Sequence, residues 1–219
     1  MGERLEGVVP AGRSLTHEVD QISSDLHEER LDVVARALGC IGAMSVLDLG
    51  CGTGILLARL SEDPRFTRLA GLDTSVEALA AAERRLEGAL GARRVFLYHG
   101  SFDAPHSRLG DFDAALMVET IEHIDPRRLS AVEHVLFARY RPATVLITTP
   151  NREYNALYGM PDNALRHPEH RFEWTRGKFR SWASGVAART GYGVSLCGIG
   201  EPDLVRGSPT QMATFRRNA

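Results

Sequence analysis

The chain has 219 residues and a mass of 24.0 kDa, with 43% hydrophobic and 25% charged residues. This is an ordinary globular composition with enough chain for one sizeable core, so two full domains would be cramped. No apolar run approaches the roughly 20 residues of a membrane span, and the N-terminus lacks the apolar stretch of a secretory signal. The formal net charge of -2 excludes a generally basic nucleic-acid-coating protein.

The cysteines and the distribution of charge narrow the class further. Cys40, Cys51 and Cys197 are scattered and form no CxxC pair, so we expect neither a disulfide framework nor a zinc site. A reducing, cytoplasmic location is expected for the same reason. Residues 1–149 carry 16 Lys+Arg against 22 Asp+Glu, whereas residues 150–190 carry 7 against 4. This local basic region can hold a short anionic ligand although the chain as a whole is slightly acidic.

Predicted strands and helices alternate along most of the chain. Gly and Pro punctuate residues 1–15, which predicts a flexible N-terminal arm before a single domain over 16–219. Apolar runs predict strands at 45–49, 68–73, 94–99, 113–118, 144–149, 192–199 and 211–217. Helical periodicity and end signals predict helices at 16–38, 55–60, 75–90, 126–140 and 175–190. The alternation predicts an α/β fold with a parallel sheet and helices on both faces, and a polar segment at about 150–173 reads as an insertion.

A glycine-rich turn follows the first predicted strand, in the sequence DLGCGTG from Asp48 to Gly54. Glycines let such a turn bend tightly and bring the backbone close to a ligand. The GxGxG spacing differs from the GxGxxG of dinucleotide folds, and no lysine follows, which disfavours a triphosphate. Asp73 ends the second predicted strand, where an acid can accept hydrogen bonds from both hydroxyls of a ribose. The pattern therefore indicates a bound nucleoside cofactor.

The stretches VLDLGCGTG and GLDTS resemble class I S-adenosylmethionine-dependent methyltransferases. The resemblance implies a Rossmann-like seven-stranded sheet whose last strand is antiparallel, with S-adenosylmethionine as cofactor. It assigns cofactor-binding roles to Asp48, Gly50 and Gly52 along the methionine part, Asp73 on the ribose, Ser101 and Phe102 beside the adenine, and Met117 and Val118 on the cofactor's other side.

Two acids and a histidine follow the fourth predicted strand. A helical turn beginning at Glu119 would bring it close to Glu122 and His123, at i+3 and i+4. Two carboxylates and an imidazole can hold one divalent cation, and this donor set suits Mg²⁺, Mn²⁺ or Co²⁺. Many small-molecule methyltransferases carry an acid and an EH pair here, some without metal, so ExxEH alone leaves the metal open.

Two further histidines, His167 and His170, lie in the inserted segment. ExxEH, TPNxEYN and HxFEWTR together closely resemble the Hen1 family of RNA 3′-terminal ribose 2′-O-methyltransferases, and HEERLDVV resembles the helix that this family places before its glycine loop. His170 is preferred to His167 because it stands directly before the xFEWTR sequence, and His167 is interpreted as a surface or RNA-facing residue. Carried over, the catalytic metal ligands are Glu119, Glu122, His123 and His170.

The resemblance implies metal-dependent methyl transfer from S-adenosylmethionine to the 2′-hydroxyl of an RNA 3′ end with free 2′,3′-hydroxyls, and an RNA end-healing and ligating partner. A Lys-Asp-Lys-Glu tetrad is excluded because Lys178 is the only lysine. Proton uptake by His123 or His170 is the second-ranked role for those residues. The alternatives are a metal-assisted O-methyltransferase acting on a small diol or catechol, and an RNA-binding protein on a retired fold. The last predicts an eroded glycine loop or acid-histidine cluster, and neither is eroded.

Overall fold

The computed structural model describes residues 15–218, with side chains from residue 25 onward. The helices are α1 Leu15–Cys40, α2 Ile55–Ser61, α3 Val76–Arg85, α4 Glu87–Gly91, α5 Leu129–Glu133 and α6 Arg176–Thr190. The strands are β1 Ser45–Leu49, β2 Arg68–Asp73, β3 Val95–His99, β4 Ala114–Val118, β5 Thr144–Pro150, β6 Tyr192–Ile199 and β7 Thr210–Arg217. The arm predicted over residues 1–15 lies outside the described residues, apart from Leu15, with which α1 begins.

The seven strands form one sheet in the order β3-β2-β1-β4-β5-β7-β6. Strands β1 to β5 pair in parallel, and β7 runs antiparallel to both β5 and β6. This confirms the predicted seven-stranded sheet with an antiparallel last strand. The strand order reverses between β1 and β4, and the crevice outside the carboxyl ends of the strands at such a point is where α/β sheets bind ligands.

Two buried clusters cover the two faces of the sheet. Strand residues alternate between them, as period-2 geometry requires: Leu47 and Leu49 belong to one cluster and Val46 to the other. Helices α1, α2 and α3 supply the cluster that contains Val46. The opposite cluster receives side chains from α5, α6 and the inserted segment. Over residues 15–218, none of the helices combines the length and apolarity that a membrane span needs.

Two of the predicted helices differ from the observed ones. The helix predicted over 75–90 begins as expected, with the Ser75 side chain accepting a hydrogen bond from the Ala78 amide, but it is divided at Leu86. Leu86 leaves helical geometry (φ -103°, ψ 10°) while its side chain is buried in the core, so packing outweighs local propensity there. The helix predicted over 126–140 starts as a 3₁₀ turn, continues as α5 and ends as a π-helix, His134–Tyr140.

The inserted segment packs on the sheet instead of projecting from it. It begins with a 3₁₀ helix, Arg152–Tyr158, and returns to the sheet through a parallel bridge between Asn151 and Trp174. Trp174 is buried and stacks on Phe172, with their ring centroids 4.5 Å apart. The segment therefore lies beside the carboxyl ends of β4 and β5.

Candidate active site

A cavity of about 570 Å³ opens at the carboxyl ends of β1, β2 and β4. Five of the eight predicted cofactor-binding residues line it: Gly50, Gly52, Asp73, Ser101 and Phe102. Glu119 and His123 of the acid-histidine cluster also line it. The cavity and the candidate cation ligands therefore share a wall.

The glycine loop forms the floor of this cavity. Gly50 has a φ of 86°, a left-handed conformation that favours glycine, and a Cβ there would lie 2.4 Å from the Thr120 side chain. The amides of Gly50 and Cys51 donate to the Leu72 carbonyl of β2, at 2.8 and 3.2 Å. The loop is thus tied to the neighbouring strand while its backbone faces the cavity.

The Asp73 carboxylate is fixed at the end of β2 by two backbone amides. One oxygen accepts from the Gly52 amide at 2.8 Å, and the other accepts from the Ser75 amide at 2.9 Å. Each carboxylate oxygen can accept a further hydrogen bond. The side chain is therefore held in the cavity wall with capacity left for a ligand hydroxyl.

Asp48 is buried behind the glycine loop and does not line the cavity. Burial, with the nearby negative charge of Asp73, raises the pKa of the Asp48 carboxyl to about 7. Near neutral pH this group lies close to its midpoint, and a cation bound in the cavity would favour its ionised form.

Asp48→Asn is expected to change the pH dependence of stability in the ligand-free protein. The folded-state pKa of about 7 exceeds the unfolded value of 3.8, so the folded protein holds the extra proton between these pH values. Its free energy of unfolding therefore falls as pH rises from about 4 to 7, by at most about 4 kcal/mol. Urea unfolding across this range should show a flatter profile for Asp48→Asn. Asp63→Asn alters a partly exposed aspartate whose pKa is lowered by hydrogen bonding to Arg65, so that it titrates below this range and the variant should keep the original slope. An unchanged slope in Asp48→Asn would contradict the assignment.

Two of the predicted cofactor residues, Met117 and Val118, do not line the cavity. Met117 is fully buried in the cluster formed with α5 and α6, and it does not line the cavity. Val118 is partly buried and packs against the opposite cluster, again outside the cavity lining. The cause is strand alternation, which turns both side chains onto the faces of the sheet instead of toward its carboxyl edge.

The far end of the cavity contains two polar residues that the sequence did not single out. Asp103 pairs with Arg128 and accepts a hydrogen bond from the Ser101 hydroxyl. Arg128 follows the fourth strand by ten residues, so the ion pair joins two separate loops. Phe102, together with Ile124 and Val132, supplies the apolar part of the same wall.

Glu119 has a left-handed backbone, with a φ of 50°, which is uncommon for a residue other than glycine and marks candidate functional positions. The Thr148 hydroxyl accepts from the Glu119 amide at 3.0 Å and donates to one of its carboxylate oxygens at 2.9 Å. The other oxygen lies 3.3 Å from the Arg30 guanidinium of α1. Strand β5, through Thr148, and helix α1, through Arg30, therefore fix this carboxylate.

Glu122 is fully buried, in a 3₁₀ turn, Ile121–His123. One carboxylate oxygen accepts from the Thr149 hydroxyl at 3.0 Å, whereas Oε1 is buried with no hydrogen-bond partner among the described residues. Burial and the charge of Glu119 raise the pKa of Glu122 well above its usual range. Such an unpaired buried acid is costly unless it binds something.

Three histidines come together beside these acids. His123, His167 and His170 each offer a ring nitrogen, and these atoms lie within 4.8 Å of one another. Burial, with His170 and His167 nearby, lowers the pKa of His123. The turn over residues 167–170 is closed by the His170 amide, which donates to the His167 carbonyl, and it brings both rings to His123. His167 is exposed there, which agrees with its interpretation as a surface residue.

The predicted four ligands are not gathered into a single group. Over residues 15–218 the three histidines are the group whose ligand atoms lie within 4.8 Å, and Glu119 and Glu122 stand outside it. Glu119 faces Arg30 and Thr148 instead. The donor types still fit a divalent cation, because the turn that carries the orphaned buried Glu122 oxygen also carries His123 of the imidazole cluster.

The residues that hold this site were largely missed by sequence reasoning. Arg30 lies within the HEERLDVV stretch that carried part of the resemblance, and Glu173 lies within HxFEWTR. Both residues therefore belong to motifs that the sequence analysis used, but it assigned neither of them a function. Thr148 had none, because nothing in a strand sequence shows which hydroxyl meets a neighbouring loop.

Comparison with known proteins identifies the family. A family model described as a methyltransferase domain matches residues 46–142. The solved methyltransferase domain of bacterial CtHen1 is 43% identical, with a TM-score of 0.81 and coverage of 89% of this chain and 100% of that one. The chain belongs to the Hen1 family. The solved structure of a small RNA methyltransferase HEN1 is 28% identical in sequence to this chain, with a TM-score of 0.84, and the match covers 100% of this chain and 27% of that one.

Curated relatives of the Hen1 family agree with this membership. The small RNA 2′-O-methyltransferase of Rattus norvegicus is 37% identical over 204 residues, covering 88% of this chain and 51% of its own. The protein of the same name from Mus musculus is 35% identical, covering 92% of this chain and 53% of its own. The chain thus spans about half the length of these relatives. The resemblance inferred from ExxEH, TPNxEYN and HxFEWTR is confirmed, as is the Rossmann-like sheet.

Proposed function

We propose that the chain transfers a methyl group from S-adenosylmethionine to the ribose 2′-oxygen of the 3′-terminal nucleotide of RNA, at a site that holds a divalent cation. The observation that carries the proposal is the shared wall: Glu119 and His123 line the same cavity as Gly50, Gly52 and Asp73. A methyl donor seated on the glycine loop would therefore lie next to the acid-histidine cluster. Membership of the Hen1 family, whose relatives are named small RNA 2′-O-methyltransferases, supports the choice of acceptor.

The proposed cofactor seat uses the cavity lining. Asp73 would accept from the ribose hydroxyls, Gly50 and Gly52 would let the backbone approach the methionine part, and Ser101 and Phe102 would flank the adenine. Asp48 would act from behind the loop through its charge. Met117 and Val118 would shape the site only by packing beneath it, since neither lines the cavity.

Asp73→Ala is expected to weaken S-adenosylmethionine binding by roughly 1.5–3 kcal/mol, about 10- to 150-fold, because two ribose hydroxyls lose a charged acceptor. Isothermal titration of the purified protein measures this directly. Asp63→Ala, which removes a partly exposed aspartate paired with Arg65, serves as the control and should bind normally. An unchanged dissociation constant in Asp73→Ala would place the ribose elsewhere.

We propose Glu119, Glu122, His123 and His170 as the residues that hold the cation, with Mg²⁺, Mn²⁺ or Co²⁺ as candidates. A cation there supplies Lewis-acid chemistry, lowering the pKa of a hydroxyl. The lowered pKa of His123 keeps this imidazole neutral, as a ligand or a proton acceptor must be. Proton uptake by His123 or His170 stays the second-ranked role.

The hydrogen bonds of the two inserted histidines support His170 over His167. The His167 Nδ1 accepts from the Glu169 amide at 3.2 Å, which in a neutral ring leaves the proton on Nε2. The His170 Nδ1 lies 2.7 Å from the Glu173 carboxylate, which leaves its Nε2 free to bind a cation. His167 can then face solvent or RNA at the edge of the cluster.

We further propose that residues 16–219 act as one methyltransferase domain with the insertion at about 150–173, and that the basic region over 150–190 contacts the RNA backbone. A solved Pnkp1/Rnl/Hen1 RNA repair complex has a chain with a TM-score of 0.65 at 23% identity, a likeness of fold alone. The end-healing and ligating partner and the cytoplasmic location stay predictions.

The function is tested with radiolabelled S-adenosylmethionine and three acceptors: RNA with a 2′,3′-diol end, DNA of the same sequence, and catechol. We expect label in the RNA alone. Label in catechol but not in RNA would establish the small-molecule diol alternative. Tight binding of S-adenosylmethionine with no transfer to any acceptor, with added cation, would favour the RNA-binding protein on a retired fold.

A further inference from the structure

Glu173 is a buried acid at the base of the candidate cation site, and its side chain has no exposed surface. Its Oε1 accepts from the Arg166 backbone amide at 2.6 Å and lies 2.7 Å from the His170 Nδ1. Its Oε2 accepts from the Asn155 side-chain amide at 2.6 Å. These hydrogen bonds compensate for the desolvation of a carboxylate, which would otherwise be expensive.

The orientation of Asn155 is fixed independently of Glu173. Its Oδ1 accepts from the Arg166 Nε at 2.6 Å, and the same guanidinium donates to the carbonyls of Pro209 and Asn151, at 2.9 and 2.7 Å. The NH₂ of Asn155 must therefore face Glu173. Both Glu173 oxygens are thus required to accept, which a carboxylate can do and an amide cannot.

This network determines the state of the His170 ring. A carboxylate oxygen that already accepts from a backbone amide can meet the His170 Nδ1 only if that nitrogen carries the proton. The lone pair of the neutral ring then lies on Nε2. The His170 ring stands at 87° to that of His123, with the centroids 4.8 Å apart, and the His170 side chain is only 7% exposed.

We infer that Glu173 is a positioning residue, which holds His170 in the tautomer and orientation that present Nε2 to the cation. The inference rests on the proposed function, because it assumes a cation at His170. It also explains why the HxFEWTR stretch combines a histidine with an acid three residues later, since both must meet at one turn. Loss of a carboxylate that orients a metal-binding histidine typically weakens metal affinity 10- to 100-fold.

The test is the Mn²⁺ affinity of the purified protein, measured by electron paramagnetic resonance. Glu173→Gln is expected to bind Mn²⁺ about 10- to 100-fold more weakly, because one amide hydrogen must face another donor. Glu153→Gln is the matched control: it alters a carboxylate of the same insertion that pairs with Arg176 and does not contact His170, and it should bind Mn²⁺ normally. Glu173→Asp keeps the charge but shortens the reach, and should lose part of the affinity even if Glu173→Gln fails to fold.

A double-mutant cycle with His170→Ala separates positioning from general support. If Glu173 acts through His170, Glu173→Gln should cost little further Mn²⁺ affinity once His170 is gone, and S-adenosylmethionine affinity should be unchanged throughout. If the two substitutions lower Mn²⁺ affinity additively, or if Glu173→Gln and Glu173→Asp both keep full Mn²⁺ affinity, the inference is overturned while the proposed function stands. An unaltered protein that binds no Mn²⁺ would remove the cation from the proposed function and overturn the inference with it.

Discussion

Glu122→Gln is expected to lower the rate of methyl transfer roughly 1,000-fold while the protein keeps its fold. The unpaired Oε1 is the buried oxygen best placed to bind a cation, and losing several kcal/mol of Lewis-acid assistance corresponds to a change of this size. Because burial raises the pKa of Glu122, the cation-free protein loses stability as pH rises above the ordinary value for this carboxyl, and this loss persists at higher pH. The variant should therefore unfold at a higher temperature than the unaltered protein at pH 8 without cation.

The measurement pairs single-turnover methylation with thermal unfolding, and Glu83→Gln, at an exposed glutamate of α3, is the control. Full activity in Glu122→Gln would remove this carboxylate from the site. Lost activity accompanied by a lower unfolding temperature would indicate a structural role instead.

Alanine substitutions extend the same test to the other ligands. Alanine at Glu119, His123 or His170 should severely reduce methyl transfer while S-adenosylmethionine binding is largely preserved. His167→Ala should retain most of the activity. An inactive His167→Ala with an active His170→Ala would show that the fourth ligand was chosen wrongly. Chelator should abolish transfer, and Mg²⁺, Mn²⁺ or Co²⁺ should restore it.

The second large effect concerns the acceptor. RNA with a 3′-deoxy end is expected to react at least about 100-fold more slowly than RNA with a 2′,3′-diol, although its 2′-hydroxyl is intact. The terminal ribose then offers one hydroxyl donor instead of two to the site of Glu119, Glu122 and His123, and polar sites reject analogues that leave their groups unpaired. Rates are compared under single-turnover conditions with matched oligonucleotides.

Simple base catalysis at the 2′-oxygen makes the opposite prediction, because it does not involve the 3′-hydroxyl. Efficient methylation of the 3′-deoxy end, or of internal riboses, would therefore refute recognition of the diol. A 3′-phosphate end should also fail, since it removes the same hydroxyl and adds charge beside two carboxylates. Binding of the strand itself should weaken with salt, because a few arginines contact few phosphates.

The order of strands and helices could be read from the sequence because hydrophobic periodicity is local. Strand β1 and strand β2 have the predicted bounds, and the predicted N-cap at Ser75 is present. The fold class also followed, since alternating elements allow few sheet topologies. The division at Leu86 could not be read, because it depends on how that side chain packs against the core.

The site was predictable in its chemistry but less so in its geometry. Gly50 and Asp73 line the cavity, and both could be picked out because a tight turn and a strand-terminal acid leave signals in sequence. The burial of the Met117 side chain away from the cavity could not be predicted, because a position near a strand end does not show which way the side chain points. The contact of Arg30 with Glu119 joins residues far apart in the chain, and only the folded arrangement reveals it.

Periodate oxidation followed by β-elimination tests the central proposal most directly, because a terminal 2′-O-methyl group protects a ribose whose vicinal diol would otherwise be cleaved. A 5′-labelled RNA with a 2′,3′-diol end is incubated with the protein, S-adenosylmethionine and Mn²⁺, then treated and sized on a gel. We predict that the RNA keeps its full length, and that omission of S-adenosylmethionine or the Glu122→Gln substitution restores loss of the terminal nucleotide. Loss of that nucleotide after incubation with the complete mixture, from a protein shown to bind S-adenosylmethionine, would contradict terminal 2′-O-methylation.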